Sequence, residues 1–265
     1  MLDSHTHLNS WKLFPDWQKH IADFEALSGN WLINAGSDWE YNENWIKICQ
    51  EYKWILYIKC TIWLHPQEVT EWIVNPENID EELIKLENMY LENKDYVVAI
   101  GEIWIDVHYD WEPNLELQKE LFDRQMKLAR KYNLPVVIHS RDDFDSTYEI
   151  LENYKDLKIY VHCRWYWPKE IAKLQNNIPN LWIWFCGNVT YPSAQNLRDS
   201  LSLVDSNKLL IETDAPYLPV KEFRGQTNTP AMITYLYNFV SEFLWIERNI
   251  LEQQVEVNFD KLYIN

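Results

Sequence analysis

A single (β/α)8 barrel spanning residues 1–265 is the fold this sequence predicts, and three observations predict it. Eight short apolar runs rich in Val and Ile alternate with longer stretches of mixed polarity. Several of those runs close on a His, Glu or Asp. No Gly/Ser-rich or Pro-rich linker divides the chain, and its length suits one α/β barrel.

The expected strands are residues 2–7, 31–36, 54–64, 96–105, 134–140, 157–163, 181–189 and 208–214. In the first, Met1-Leu-Asp-Ser-His-Thr-His-Leu8, His5 and His7 stand two apart, and an extended segment throws such a pair to one face. Two imidazoles on one face are half of a metal site. The third run leads into His65-Pro66. The fourth, Val97-Val-Ala-Ile-Gly-Glu-Ile103, carries Glu102; the fifth ends on His139, the sixth on His162, and the eighth on Asp214. Runs of this composition fit strands buried on both faces of a parallel sheet. Helical periodicity is clearest over 115–130, where Leu117, Leu121, Met126, Leu128 and Ala129 share a broad apolar face.

Barrel closure sets the first strand beside the eighth, which makes neighbours of His5, His7 and Asp214, and the C-terminal strand ends of this fold form active sites. An open doubly wound sheet would leave these groups on opposite edges. The chain also lacks a G-x-G-x-x-G turn and a P-loop.

The formal net charge of −17 excludes a basic surface for non-specific nucleic-acid binding, so a phosphodiester substrate would have to be held locally by cations and a few arginines. Cys49, Cys60, Cys163 and Cys186 are widely spaced without a CxxC pair, as expected of reduced core thiols. The acidic start is unlike a signal peptide and no apolar run reaches the ~18 residues of a membrane span, so a cytoplasmic protein is expected.

Taken with their order, the segments DSHTHL at 3–8, LHP at 64–66, GEI with Asp106 at 101–106, LPVVIHSRD at 134–142, HC at 162–163, GNVTY at 187–191, ETDAPYL at 212–218 and RG-x-x-N-x-P at 224–230 resemble the TatD family of metal-dependent hydrolases, within the amidohydrolase-like barrels. The resemblance covers nearly the whole chain. It implies cleavage of DNA phosphodiester bonds with two divalent cations. By the same resemblance His5, His7, Glu102 and Asp214 would hold one ion and Glu102, His139 and His162 the other, with Glu102 bridging. Mixed imidazole and carboxylate donors suit Zn2+, Mn2+ or Co2+, and Mg2+ less well. Asp214 is then the expected proton acceptor, Glu212 a supporting group, Arg141 and Arg224 the phosphate contacts, and His65 a substrate contact. The alternatives are hydrolysis of another ester, such as a D-aminoacyl-tRNA, and a non-catalytic barrel that binds a partner or nucleic acid.

One feature departs from this pattern: the chain has 15 Trp and only 5 Gly, where ordinary usage gives glycine at ~7% of residues. The resembling family has glycine where this chain has Trp104, and Trp63, Trp184 and Trp245 fall at similar places, with Trp31, Trp72, Trp165 and Trp167 as weaker cases. Substitution at several glycine positions points to one cause, a UGA codon read as glycine in the source and written as tryptophan. Trp11, Trp17, Trp111 and Trp182 are expected to be true tryptophans. Residue 104, two beyond Glu102, should face the barrel lumen.

Overall fold

The computed structural model describes residues 1–36, 38–52, 57–66, 76–108, 114–162 and 167–264, the side chains of 76–78 and of His162 excepted. Eight parallel strands hydrogen-bond in chain order, β1 (Leu2–Thr6), β2 (Trp31–Ala35), β3 (Tyr57–Ile62), β4 (Val97–Asp106), β5 (Val136–Arg141), β6 (Ile159–His162), β7 (Leu181–Phe185) and β8 (Leu209–Ile211). Around them lie α1 (Trp17–Ala26), α2 (Trp39–Glu51), α3 (Pro76–Glu92), α4 (Leu115–Tyr132), α5 (Phe144–Glu152), α6 (Pro168–Asn177), α7 (Gln195–Leu203), α8 (Ile233–Leu244) and α9 (Arg248–Tyr263). The ring closes just beyond the strand ends, where Asp214 N donates to His5 O at 3.1 Å and His7 N to Ala215 O at 2.6 Å. This is the (β/α)8 barrel expected from the alternating pattern. Strands β1, β7 and β8 are buried along their whole length; the sequences of β7 and β8 accordingly show no polar face, whereas β1 buries Asp3, Ser4, His5 and Thr6.

Helix starts follow local chemistry. Asp38, Asn114 and Asp143 accept from the amides of Tyr41, Leu117 and Ser146, capping α2, α4 and α5. Helix α4 ends on Asn133 in the left-handed region (φ 53°), and α8 ends the same way on Trp245 (φ 55°). For a residue with a Cβ that conformation costs about 1–2 kcal/mol, and Asn offsets it better than Trp.

Three strands are shorter than the expected ranges. β8 stops at Ile211, because the amides of Thr213 and Asp214 turn to Asp3 and to the carbonyl of His5 instead of continuing the ladder. β7 stops at Phe185, and Gly187–Thr190 form a 3-10 turn. A Cβ on Gly187 would stand 2.2 Å from Leu218 O, so the turn packs against the loop after β8 more closely than a side chain allows. In β3 the regular strand ends at Ile62, leaving Trp63 and Leu64 beyond it, while 54–56 and, in the sixth run, 163 lie outside the described residues. Cys49, Cys60 and Cys186 are buried thiols that form no disulfide among the described residues; Cys163 lies outside the described residues. Among the described residues no helix is long and apolar enough to cross a membrane.

The buried face of α4 also differs from its apolar stripe. Leu117 is only partly buried, whereas Gln118 and Gln125 are buried completely or nearly so. Their amides are clamps. Gln118 accepts from Asp106 N at 2.8 Å and donates to Asp106 O at 2.9 Å, and Gln125 accepts from Leu64 N at 2.8 Å and donates to Leu64 O at 3.2 Å. One helix thereby fixes the C-terminal ends of β3 and β4. Gln118→Leu is expected to strand two buried backbone groups at about 1–3 kcal/mol each, lowering the melting temperature by at least about 4 °C. A calorimetric scan showing an unchanged transition would refute the clamp.

Candidate metal centre

The strand alternation of β1 brings His5 and His7 to one point, with their Nε2 atoms 3.0 Å apart. His7 Nδ1 lies 3.3 Å from Ala35 O; a proton on that nitrogen bonds to the carbonyl and leaves the Nε2 lone pair facing inward. Glu102 sits between two groups of nitrogens. Its Oε2 is 3.6 Å from His5 Nε2 and 3.8 Å from His7 Nε2, while its Oε1 is 3.1 Å from His139 Nδ1. Asp214 Oδ1 closes the first group at 3.5 Å from His7 Nε2 and 4.0 Å from His5 Nε2. Burial opposes ionisation of Glu102, yet the imidazoles of His139 and His5 outweigh it and hold the carboxyl well below its ordinary range. Burial likewise lowers the His5 pKa, favouring the neutral ring that donates a lone pair.

The donor set fits a divalent cation. One donor atom each from His5, His7 and Asp214 lies within 4.8 Å of the others. Two ligands about 2.0–2.1 Å from a tetrahedral zinc stand roughly 3.3 Å apart, close to the separations of the converging nitrogens and carboxylate oxygen. Two imidazoles with carboxylates also suit Zn2+, Mn2+ or Co2+ by softness.

Two buried acids complete the geometry. Asp106 Oδ2 stands 3.2 Å from His139 Nε2, so the ring of His139 is held between Asp106 and Glu102. Asp3 accepts from Thr213 N at 2.9 Å and His5 N at 3.3 Å through Oδ1, and from Thr213 Oγ1 at 2.6 Å through Oδ2. It thus ties the first histidine to the residue preceding Asp214, whose backbone is left-handed (φ 54°). Burial pushes the Asp3 carboxyl up to about 7. Sequence reading gave neither residue a role, although the signal was present: Asp3 precedes His5 by two and Asp106 follows Glu102 by four, and even spacing on a strand means one face.

Glu212 is buried, and burial followed by the nearby Asp214 charge raises its carboxyl well above the ordinary value, favouring the neutral form. His65 lies at the mouth beside two indoles, 4.8 Å from the Trp63 ring and 5.0 Å from that of Trp104; burial and then His139 lower its pKa to about 4. Arg141 ends β5 two residues past His139. Arg224 places its guanidinium 4.9 Å from the Tyr191 ring centre and is exposed. The His162 side chain lies outside the described residues; its backbone ends β6 opposite Trp184. The structure therefore gathers His5, His7, Glu102, His139 and Asp214 into one cluster.

A (β/α)8 barrel with imidazoles and carboxylates converging at its C-terminal mouth defines a metal-centred barrel protein. Residues 2–264 match the TatD related DNase family, and the chain belongs to that family of metal-dependent hydrolases. An uncharacterized metal-dependent hydrolase of Mycoplasma genitalium is 31% identical over 267 residues, covering 98% of each chain. The uncharacterized metal-dependent hydrolase YabD of Bacillus subtilis is 29% identical, over 91% of this chain and 90% of its own. The crystal structure of YjjV, a TatD homolog from Escherichia coli, superposes with a TM-score of 0.89 at 25% identity, covering 99% of this chain and 97% of that one.

Because Asp3 holds His5 and the approach to Asp214 together, Asp3→Ala is expected to weaken Zn2+ or Mn2+ binding by roughly 10–100-fold, the usual loss when a supporting partner is removed. Asp3→Asn, whose amide oxygen still accepts from Thr213 N, should recover part of that loss. Calorimetric titration compares the three proteins, and equal affinity in Asp3→Ala would discard the role.

Proposed function

We propose that the protein hydrolyses phosphodiester bonds of DNA with two divalent cations, Zn2+, Mn2+, Co2+ or Mg2+, at the mouth of the barrel. The observation that carries this reading is Glu102, whose two oxygens face different nitrogen groups, Oε2 toward His5 and His7 and Oε1 toward His139. A carboxylate so placed is suited to be shared. His5, His7 and Asp214 would hold one ion and His139 with His162 the other. Bound there, the ions would supply a water of lowered pKa and offset charge on the phosphate oxygens.

The chain's own groups supply the rest. Asp214, within 3.5 Å of His7 Nε2, takes the proton of the attacking water, a role for which its buried carboxylate is positioned on a fixed corner. Arg141, at the end of β5, and Arg224, on the loop after β8, hold non-bridging phosphate oxygens. His65, kept neutral by burial and by His139, contacts the substrate at the end of β3. With a net charge of −17 the surface repels a polyanion, so these local contacts have to retain it.

Cleavage of DNA should therefore require a divalent cation, and Asp214→Asn should slow it by at least about a hundredfold while leaving the fold intact. Asp214→Asn cleaving at the wild-type rate would remove Asp214 from the chemistry. Pairing His139→Ala with His162→Ala should cost one of the two bound ions in elemental analysis and spare the other; unchanged stoichiometry would contradict the ligand assignment. If the metal-loaded protein deacylates D-aminoacyl-tRNA and leaves DNA intact, the substrate proposed here is wrong.

A further inference from the structure

The chain has fifteen tryptophans and only five glycines, where a 265-residue chain of average composition contains roughly 19 glycines. The backbone is informative at one of these tryptophans. Trp245 closes α8 in the left-handed region, φ 55° and ψ 40°, with Ile246 N donating back to Ser241 O at 3.0 Å. Glycine is the usual residue at such a helix end because it has no Cβ to clash. Asn133 occupies the equivalent turn after α4, with Leu134 N to Ala129 O at 2.9 Å, and Asn is the other residue that tolerates the position. The indole of Trp245 is 95% exposed, so burial does not compensate the backbone.

Three more indoles crowd the metal centre. Trp104 lies flat on His139, with ring centres 3.9 Å apart and planes 11° apart, and its Nε1 is buried without a hydrogen-bond partner among the described residues. Trp184 is fully buried with its ring 4.7 Å from that of His5 and 3.8 Å from that of Tyr160. Trp63 is parallel to Trp104 at 5.9 Å, and His65 is wedged against both. Trp17 and Trp182 lie away from the donor rings: Trp17 sits on the buried face of α1 against Tyr52, and Trp182 packs under the Lys208 ammonium at 4.4 Å, although its Nε1, like that of Trp104, is buried without a hydrogen-bond partner among the described residues.

We infer that residues 63, 104, 184 and 245 are glycine in the protein its own cell makes, encoded by UGA read as glycine, and that positions 63, 104 and 184 are open space around the donor imidazoles. A hydrogen atom at 104 and 184 frees one face each of His139 and His5. Together with glycine at 63 it clears a cleft between the ends of β3 and β4, which would admit the substrate. The codon assignment does not depend on the hydrolase reading; only the use of the cleft does.

The gene is expected to carry UGA at codons 63, 104, 184 and 245 and UGG at codons 11, 17 and 182. Tandem mass spectrometry of peptides from the source cells should find glycine at those four positions. UGG at any of the four, or tryptophan in its peptide, overturns the inference there. In the recombinant all-tryptophan chain, Trp245→Gly should raise the melting temperature by about 2–4 °C, since it relieves a left-handed Cβ, and an unchanged or lower temperature counts against position 245. The triple replacement Trp63→Gly, Trp104→Gly and Trp184→Gly should tighten Zn2+ binding in calorimetric titration; equal or weaker binding refutes the open site. Glycine in the native peptides with DNA left uncut would sink the nuclease reading and leave this one standing.

Discussion

Asp3 is the contact on which both the closure of the barrel and the arrangement of its centre depend. A sheet of parallel strands becomes a barrel only if its last strand returns to its first, and here the regular ladder of β8 ends after Ile211. The join is made instead by a buried carboxyl group that accepts from the amide and the hydroxyl of Thr213 and from the amide of His5. Backbone bonds from Asp214 to His5 and from His7 to Ala215 flank it. The same few atoms that close the ring therefore set the distance between the two histidines at the end of β1 and the aspartate beyond β8. A side chain between two strands that are far apart in the sequence is better able to fix that distance than either strand alone.

The cost of the arrangement is electrostatic. Asp3, Glu102, Asp106, Glu212 and Asp214 are all buried near one another, and isolated charges in such a place are strongly disfavoured. The acids resolve this in different ways. Glu102 and Asp106 are held ionised by His139, with His5 also helping Glu102, whereas burial drives Asp3 and Glu212 toward their neutral forms. The negative potential that remains lies where the lone pairs of His5 and His7 point. An enclosed set of nitrogen and carboxylate donors with that polarity is complementary to a cation.

Rigidity reaches the centre from outside. Helix α4 grips the backbone of Asp106 and of Leu64 through Gln118 and Gln125, so the ends of β3 and β4 cannot drift relative to each other. Donor positions matter at this scale, because a shift of about one ångström is enough to slow chemistry roughly a hundredfold. Against that background the indoles on His5 and His139 are conspicuous: they sit in direct contact with donor rings that every neighbouring element works to place.

The barrel, its strand order and the histidine, glutamate and aspartate cluster were legible in the primary structure, because strand alternation is a local rule and each donor closes an apolar run. Even the oddity of Trp245 was visible from its place in the sequence, although only the backbone shows the left-handed helix end that makes glycine the fitting residue. The parts that stayed hidden are those made by distant partners. Nothing near Asp3 announces Thr213, some 210 positions away, and nothing near Gln118 distinguishes a buried clamp from a solvated glutamine on a helix. The early end of β8 was hidden for the same reason, since the amides of Thr213 and Asp214 are claimed by residues of β1 far away in the sequence. Local periodicity decides which face a residue takes; which group it meets there is decided by the closure of the ring, a long-range event with no short-range signature.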